Sequence, residues 1–266
     1  MFDSMKNPFD TDGKPKPALT KSLDTILRIQ RPLVVSMVMR IRERHPEESP
    51  AQIAKRLETI YLRDITIGGG AVGASAFIPG VGTATSVGLS ALAVGGYLER
   101  TALYVQALAE LHGVHVENPE AARAMVMGIM LGDDGAVLMS TLMSQTGKAA
   151  GISNKWGLMM GKESTKFFSV ERTIRNMFVK RFLTRQSGAL LGRALPFGIG
   201  AVVGGGANLA LGRKVVEAAH EAFGEAPPMF PASLSFAERA PRFEDSVQAQ
   251  QQAQKDSSII QGEIAE

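Results

Sequence analysis

The side chains best suited to chemistry are two histidines and two aspartates: His112, His115, Asp133 and Asp134. Imidazole and carboxylate groups bind zinc or iron, and they also act as general acids and bases. Either chemistry would require these side chains to converge on one pocket. Their local contexts favour plainer roles, because His112 precedes the helix-ending residue Gly113 and the aspartates lie between two glycines, as in a solvated turn. We assign no catalytic residue, metal or cofactor, and we favour a non-enzymatic protein.

Other site chemistries are excluded by composition or by motif. The chain contains no cysteine, so disulfides, thiolate metal sites, iron–sulfur clusters and a cysteine nucleophile are ruled out. Glycine clusters at 68–70 and 204–206 resemble phosphate-binding loops at first sight. Neither cluster has the Lys-Ser/Thr that follows such a loop or the strand pattern that precedes it. We therefore predict no nucleotide site.

A basic helix is a candidate binding surface. Residues 164–185 place phenylalanines at helical spacing among cations, which predicts an amphipathic, positively charged helix. Such a helix suits anionic lipid, where each Lys or Arg contributes about 1 kcal/mol near the surface; an ordinary solvated helix is the alternative. We expect no nucleic-acid partner, because the phenylalanines recur on the face that a helix would bury. The predicted lipid-binding residues are Lys166, Arg172, Arg175, Lys180, Arg181 and Arg185.

Charge is unevenly distributed along the 266 residues, although the net charge is only +3. Residues 14–56 hold ten Lys/Arg against four Asp/Glu, a local charge of +6, and residues 155–193 hold nine against two, a local charge of +7. Residues 217–266 hold three against nine, a local charge of −6. The basic regions indicate surfaces that attract anions. A mean hydropathy of +0.03 argues against a polytopic transporter.

Two uncharged, glycine-rich stretches dominate the predicted architecture. The first runs from 65 to 98 and is divided at Pro79-Gly80, which predicts a helical hairpin with an uncharged tip. The second, from 194 to 212, would span about 28 Å as a helix. We expect these helices to pack against each other or against copies of themselves, with the Asn208 amide bonding across to another helix. The predicted helix-packing residues are Gly69, Gly73, Gly80, Gly88, Gly200, Gly204 and Asn208.

Boundary signals complete the fold prediction. Ser49-Pro50-Ala51-Gln52 and Asn118-Pro119-Glu120 are typical capped helix starts, and Pro32 should kink or split the helix that begins near Thr20. No strand alternation of useful length is present. We predict an all-α helical bundle with a glycine-rich hairpin near 65–98 and a glycine-rich helix near 194–212. Its parts would be a disordered leader (1–18), a single domain (19–224) and an acidic, Gln-rich disordered tail (225–266).

The order of these parts resembles the EcsC family. The resemblance rests on the capped helix near residue 50, IPGVG at 78–82, ALAELHG at 107–113, NPE at 118–120 and PFGIGAVVG at 196–204 followed by Asn208. It covers about residues 45 to 224. The family is mostly bacterial, is named after a component encoded beside an ABC transporter and has no established enzymatic activity. The resemblance therefore implies membrane association more than chemistry, and it implies nothing for the acidic tail.

The functional expectation follows from the uncharged stretches bordered by Lys and Arg. We expect an EcsC-like, bacterial, membrane-associated protein, accessory to membrane transport or envelope processes. It would lie on the cytoplasmic side of the cell membrane, peripheral or shallowly inserted, with anionic lipid as its partner and with a membrane protein or a second copy as a further one. The alternative is a soluble cytoplasmic helical module that binds a protein partner or an apolar ligand.

Overall fold

The computed structural model describes residues 16–75, 83–116, 118–137, 172–181 and 199–235. The described part of the chain contains no strand, and residues 133–137 and 172–181 are helical. The fold is all-α, as the sequence predicts. The longer elements are α1 (Pro17–Ile26), α2 (Arg31–Arg44), α3 (Pro50–Ser75), α4 (Thr83–Leu111), α5 (Pro119–Leu131) and α6 (Ile199–Phe223), and a short α7 (Ala232–Ser235) follows.

Side-chain caps define the starts of α3 and α5. The Ser49 N–H donates to Gln52 Oε1 at 2.8 Å, and the Gln52 N–H donates back to Ser49 Oγ at 3.4 Å, which is a reciprocal capping box. Asn118 Oδ1 accepts from the N–H groups of Glu120 and Ala121 ahead of α5. Each helix then begins with proline, whose missing N–H would have had no intrahelical partner at that position.

Pro32 separates α1 from α2. It lies in the first turn of α2, where it removes no helical hydrogen bond. The preceding helix, α1, begins at Pro17 after an extended Lys16, rather than near Thr20. Residues 17 and 18 therefore belong to a helix and not to the predicted leader, because a proline at the first helical position favours helix initiation there.

Three positions depend on glycine, two for a positive φ and one for a close approach. Gly113 and Gly224, directly after α4 and α6, have φ values of 74° and 76°, a region that L-residues with a Cβ rarely adopt. Gly135 packs against the main chain of Gly128, so closely that a Cβ at position 135 would overlap the Gly128 carbonyl oxygen. The helical turn 133–137 is thereby held against α5.

Helix α4 is at the centre of the bundle. It packs against α1, α2, α3, α5 and α6. The most extensive contact between two described helices is the one between α3 and α6. Burial of apolar side chains along these contacts is the main stabilising contribution. The largest fully buried side chains are Leu27, Val34, Val38, Ile53, Ile65, Leu98, Leu108, Leu111, Met125, Met127, Ile174 and Leu234.

Residues 225–235 form a strap that returns from α6 to α2. Leu234 is completely buried, and its carbonyl oxygen accepts from Arg42 Nη1 at 2.7 Å. The Arg42 guanidinium also lies 3.7 Å from the centre of the Phe230 ring. The predicted disordered tail therefore starts too early at residue 225, because apolar side chains in this segment bury themselves on the core and Arg42 binds its main chain.

Candidate functional site

The uncharged halves of three helices lie together at one end of the bundle. Residues 65–75 of α3, 83–98 of α4 and 199–212 of α6 contain no charged side chain. Helix α3 packs against both α4 and α6, and Asn208 and Gly212 of α6 contact Ile65 of α3; we call the three uncharged halves together the charge-free end. At 1.5 Å per residue, the three halves extend for about 16, 24 and 21 Å, respectively.

Charged residues begin at one level on all three helices. Asp64 of α3 accepts from Arg63 at 3.0 Å and from Arg100 of α4 at 3.3 Å. Glu99 is exposed beside Arg100. On α6, exposed Arg213 and Lys214 directly follow Gly212, which packs against Leu62 and Ile65 of α3. We call these six residues the charged border: Arg63, Asp64, Glu99, Arg100, Arg213 and Lys214.

Two polar side chains within the described part of the charge-free end bond to main-chain carbonyls. Asn208 Nδ2 donates to the Ile65 carbonyl oxygen at 3.1 Å, and Thr66 Oγ1 donates to the Leu62 carbonyl oxygen at 2.6 Å. The Asn208 amide thereby has the cross-helix partner that its apolar helix requires. Of the other predicted packing residues, Gly69 is buried on α3. Gly73, Gly88, Gly200 and Gly204 lie on α3, α4, α6 and α6, whereas Gly80 is outside the described residues.

The described residues that are exposed at the charge-free end are apolar or glycine. Ile67 is 62% exposed, and the neighbouring Gly68 has open space where a Cβ would stand. On α6, Gly206, Ala207 and Ala210 are exposed. Exposed apolar residues grouped within uncharged helix segments are the kind of surface that contacts a partner or a membrane.

The basic segment contributes fewer free cations than the sequence suggests. Ile174, Phe178 and Val179 are buried, so its apolar face packs on the core. Arg181 forms an ion pair with Asp134. Arg172 and Lys180 are exposed and Arg175 is partly buried, whereas Lys166 and Arg185 lie outside the described residues.

A second polar cluster joins α2, α4 and the loop after α4. The Glu110 carboxylate, only 4% exposed, accepts from Arg31 through Nε at 2.5 Å and Nη2 at 3.1 Å. His115 Nδ1 lies 3.0 Å from Glu110 Oε2 and 3.3 Å from Arg31 Nη2. Nδ1 can donate to the carboxylate or accept from the guanidinium, but not both. The cluster fixes the start of α2 against the end of α4.

A cleft adjoins this cluster. It contains about 200 Å³ of space outside the protein atoms, part of it open to solvent, and has room for one water-sized group. Gln106, 6% exposed, contributes a buried Nε2 that has no hydrogen-bond partner. An unpaired buried amide is costly, so an ordered water is the occupant that this cleft fits. The lining also includes Val34, Ala109, Val114, Val116 and Met125.

The residues considered for a metal or hydrolytic site have separate structural partners. His112 stacks on Phe223 of α6, and its Nδ1 lies 2.7 Å from the Leu108 carbonyl oxygen. His115 belongs to the Glu110 cluster, and Asp134 pairs with Arg181. In the described ranges, no group of three or more His, Asp or Glu side chains is arranged to hold a metal ion. The convergence that a hydrolase would require is therefore not seen there.

Buried tyrosines connect α3 to α4. The Tyr61 and Tyr104 rings stack with centroids 4.6 Å apart. Thr101 Oγ1 donates to the Tyr97 carbonyl oxygen at 2.8 Å, so the Tyr61 hydroxyl is the donor in its 3.0 Å bond with Thr101. Burial raises the pKa of both stacked tyrosines, and the negative charge of Glu58 raises the pKa of Tyr104 further.

Sequence reasoning missed the Glu110 cluster and the buried Gln106. A signal was present, because Gln106 and Glu110 stand four residues apart within the otherwise apolar run from Leu103 to Leu111. Polar side chains on a buried helical face need partners. Nothing in that pattern identifies Arg31, which lies 79 residues away in the sequence, as the partner of Glu110.

Comparison with known proteins gives no relative from which a function could be transferred. No family model, curated protein or solved structure matches the chain. Within the described helices, none combines the length and the apolarity needed to cross a bilayer.

Proposed function

We propose that this protein associates with a membrane by inserting its charge-free end into one leaflet. The observation that supports this proposal is the shared level at which charge begins on α3, α4 and α6, marked by the bond from Arg100 to Asp64 and by the packing of Gly212 on Leu62. Three uncharged helix halves with a common charged border can enter an apolar phase together. The depth of entry is set by the border, because its charged side chains stay in water.

The dimensions suit one leaflet. The hydrocarbon core of a bilayer is about 30 Å thick, so one leaflet contributes about 15 Å. The shortest uncharged half, about 16 Å, matches one leaflet's hydrocarbon, and the other two, about 21 and 24 Å, exceed it, so they tilt or reach past the midplane while the charged border stays among the head groups. Helices are suited to this environment because their main-chain groups are paired internally.

The side chains of the charge-free end also suit an apolar environment. Unpaired polar groups in hydrocarbon cost several kcal/mol each. Thr66 and Asn208 instead bond to carbonyl oxygens of α3. Among the described side chains there, the exposed residues are Ile67, Ala207, Ala210 and three glycines, so transfer of this surface from water to lipid removes apolar area from water.

At the level of biology, we propose a non-enzymatic, EcsC-like accessory to membrane transport or envelope processes on the cytoplasmic side of a bacterial membrane. Support for the accessory role comes from the resemblance in residues 45–224, and support for the membrane role comes from the charge-free end. A membrane-protein partner or a second copy would contact the same exposed small residues, since small residues allow helices to approach closely.

The experiment is membrane fractionation of paired variants. Ile67→Glu with Ala207→Glu puts two charges on exposed positions of the charge-free end, and we expect vesicle partitioning to fall by roughly 100-fold. The control is Leu33→Glu with Met229→Glu, which changes two exposed apolar residues elsewhere. High-salt and carbonate washes should leave wild type and control in the pellet and release the first variant.

Two results would contradict the proposal. Wild-type protein found entirely in the supernatant, and absent from floated vesicles, would favour the alternative of a helical module that binds a protein partner. Equal membrane binding by the two variants would show that the charge-free end does not enter the bilayer. Circular dichroism of both variants checks that each remains folded.

A further inference from the structure

The net charge of the charged border differs between the two sides of the bundle. On the α3 and α4 side, Arg63 and Arg100 both bond to Asp64, and Glu99 adds a second negative charge, so the four residues sum to zero. On the α6 side, Arg213 and Lys214 are both exposed. Neither of these two side chains has an ion pair or hydrogen bond with another residue in the described part of the chain.

We infer that Arg213 and Lys214 bind anionic phospholipid head groups and so determine both the lipid preference and the orientation of the inserted protein. The inference rests on the proposed insertion, because insertion is what brings these two residues to head-group depth. The planar guanidinium of an arginine donates two N–H groups to phosphate oxygens in a bidentate manner, and a lysine adds a mobile point charge.

The position of the two cations follows from the packing of α6 on α3. Gly212 contacts Leu62 and Ile65, so the next two residues of α6 lie at the level of Arg63 and Asp64. Glu217 is the nearest acid on the same helix, but it is one turn farther from the charge-free end, about 6 Å along the axis. Phosphates at the bilayer surface would therefore meet unbalanced positive charge first on the α6 side.

This assignment differs from the lipid-binding residues that the sequence suggested. The basic segment 172–181 buries its apolar face, and Arg181 pairs with Asp134. Phe178, the phenylalanine of this described segment, therefore faces the core and not a membrane interface. Arg213 and Lys214 directly follow an uncharged run. Two adjacent cations do not produce the amphipathic periodicity from which lipid binding is predicted for the basic helix.

The test compares full-length wild type with Arg213→Ala/Lys214→Ala on two kinds of vesicle. One is made of phosphatidylcholine alone, and in the other part of the phosphatidylcholine is replaced by phosphatidylglycerol. At low ionic strength we expect the variant to lose about 30-fold in its preference for the anionic vesicles, equivalent to about 2 kcal/mol for two cations. Its partitioning to neutral vesicles should match wild type.

The control is Arg40→Ala/Arg44→Ala, which removes two exposed cations of α2, a helix that contributes nothing to the charge-free end. An equal loss of anionic preference in both double variants would overturn the inference, since net charge alone would then account for it. Unchanged preference in the Arg213/Lys214 variant would overturn it as well. Wild type that binds both vesicles equally refutes this inference but not the insertion, whereas wild type that binds neither refutes the insertion.

Discussion

The Asn208 Nδ2 lies 3.1 Å from the main-chain carbonyl oxygen of Ile65, and this bond links two uncharged stretches that are 143 residues apart in the sequence. Ile65 is the first uncharged residue beyond the charged border on α3, and Asn208 lies one turn inside it on α6. A single amide therefore fixes the register of the two helices at the entrance to the charge-free end.

Replacing the Asn208 hydrogen-bond donor by an acceptor should destabilise the bundle. Asn208→Asp replaces a donor by a carboxylate that faces a carbonyl oxygen, and we expect the free energy of unfolding to fall by about 2 kcal/mol. Ala207→Asp places the same charge on the adjacent exposed position and should cost less than about 1 kcal/mol, mostly helix propensity. Urea denaturation measures both, and similar losses would mean that the Asn208 bond contributes nothing.

A Cβ at position 212 would meet the ends of two α3 side chains, whereas a Cβ at position 206 would enter open space. A Cβ at 212 would overlap the end of the buried Ile65 side chain and stand 3.0 Å from Leu62 Cδ2, so Gly212→Ala should cost about 1 to 3 kcal/mol. Gly206→Ala enters open space in the same helix and should stabilise by up to about 1 kcal/mol. Thermal unfolding of the pair decides this, and a stabilising Gly212→Ala would contradict the observed packing of α3 on α6.

Removal of Arg31 should leave a buried carboxylate insufficiently paired. Arg31→Met leaves Glu110 with His115 as its remaining bonded partner in the cluster, and we expect a loss of about 3 kcal/mol. The double variant Arg31→Met/Glu110→Leu should recover part of that loss, because the uncompensated charge is gone. Arg63→Ala, at an exposed ion pair, should cost less than about 1 kcal/mol.

One result would contradict this expectation for Arg31 and Glu110. If the double variant is less stable than Arg31→Met alone, Glu110 does not depend on Arg31 for its burial. Chemical denaturation at neutral pH distinguishes the two cases.

Alkaline pH should unfold the protein through its stacked tyrosines. Burial holds the pKa of Tyr61 and of Tyr104 above the ordinary value of 10.0, so both favour the folded state fully below pH 10 and lose that contribution as the pH rises further. The chain has three tyrosines, and tyrosinate absorbance should show two of them titrating only together with the loss of helical circular dichroism. Titration of all three near pH 10 in folded protein would contradict this expectation.

Local signals in the sequence were sufficient for much of the fold. Ser49 with Gln52, Asn118 ahead of Pro119, and Pro32 each act on neighbouring main-chain groups, so the structure places helix starts where they indicate. Leu234 and Phe230 are bound by Arg42, almost 190 residues away, and composition alone assigned their segment to a disordered tail. Long-range partners have no local signature.

The candidate site was also only partly predictable from the sequence. Uncharged runs are visible in the sequence, but their alignment at one level depends on contacts such as Arg100 with Asp64 that only the folded chain brings together. Similarly, Arg172 to Arg181 form a basic pattern, and the burial of Phe178 and the pairing of Arg181 appear only once α5 and its following turn are packed.

The strap lies at the other end of the bundle from the charge-free end, since Pro231 contacts Gly113 at the end of α4. The exposed Met229, 77% accessible, and the exposed Ile67 therefore lie towards opposite ends of the bundle. A protein with an uncharged end and a charged opposite end should be surface-active, with the uncharged end leaving the water. At an air–water interface it should raise the surface pressure and stand upright, with a dye at position 229 in water and a dye at position 67 out of it.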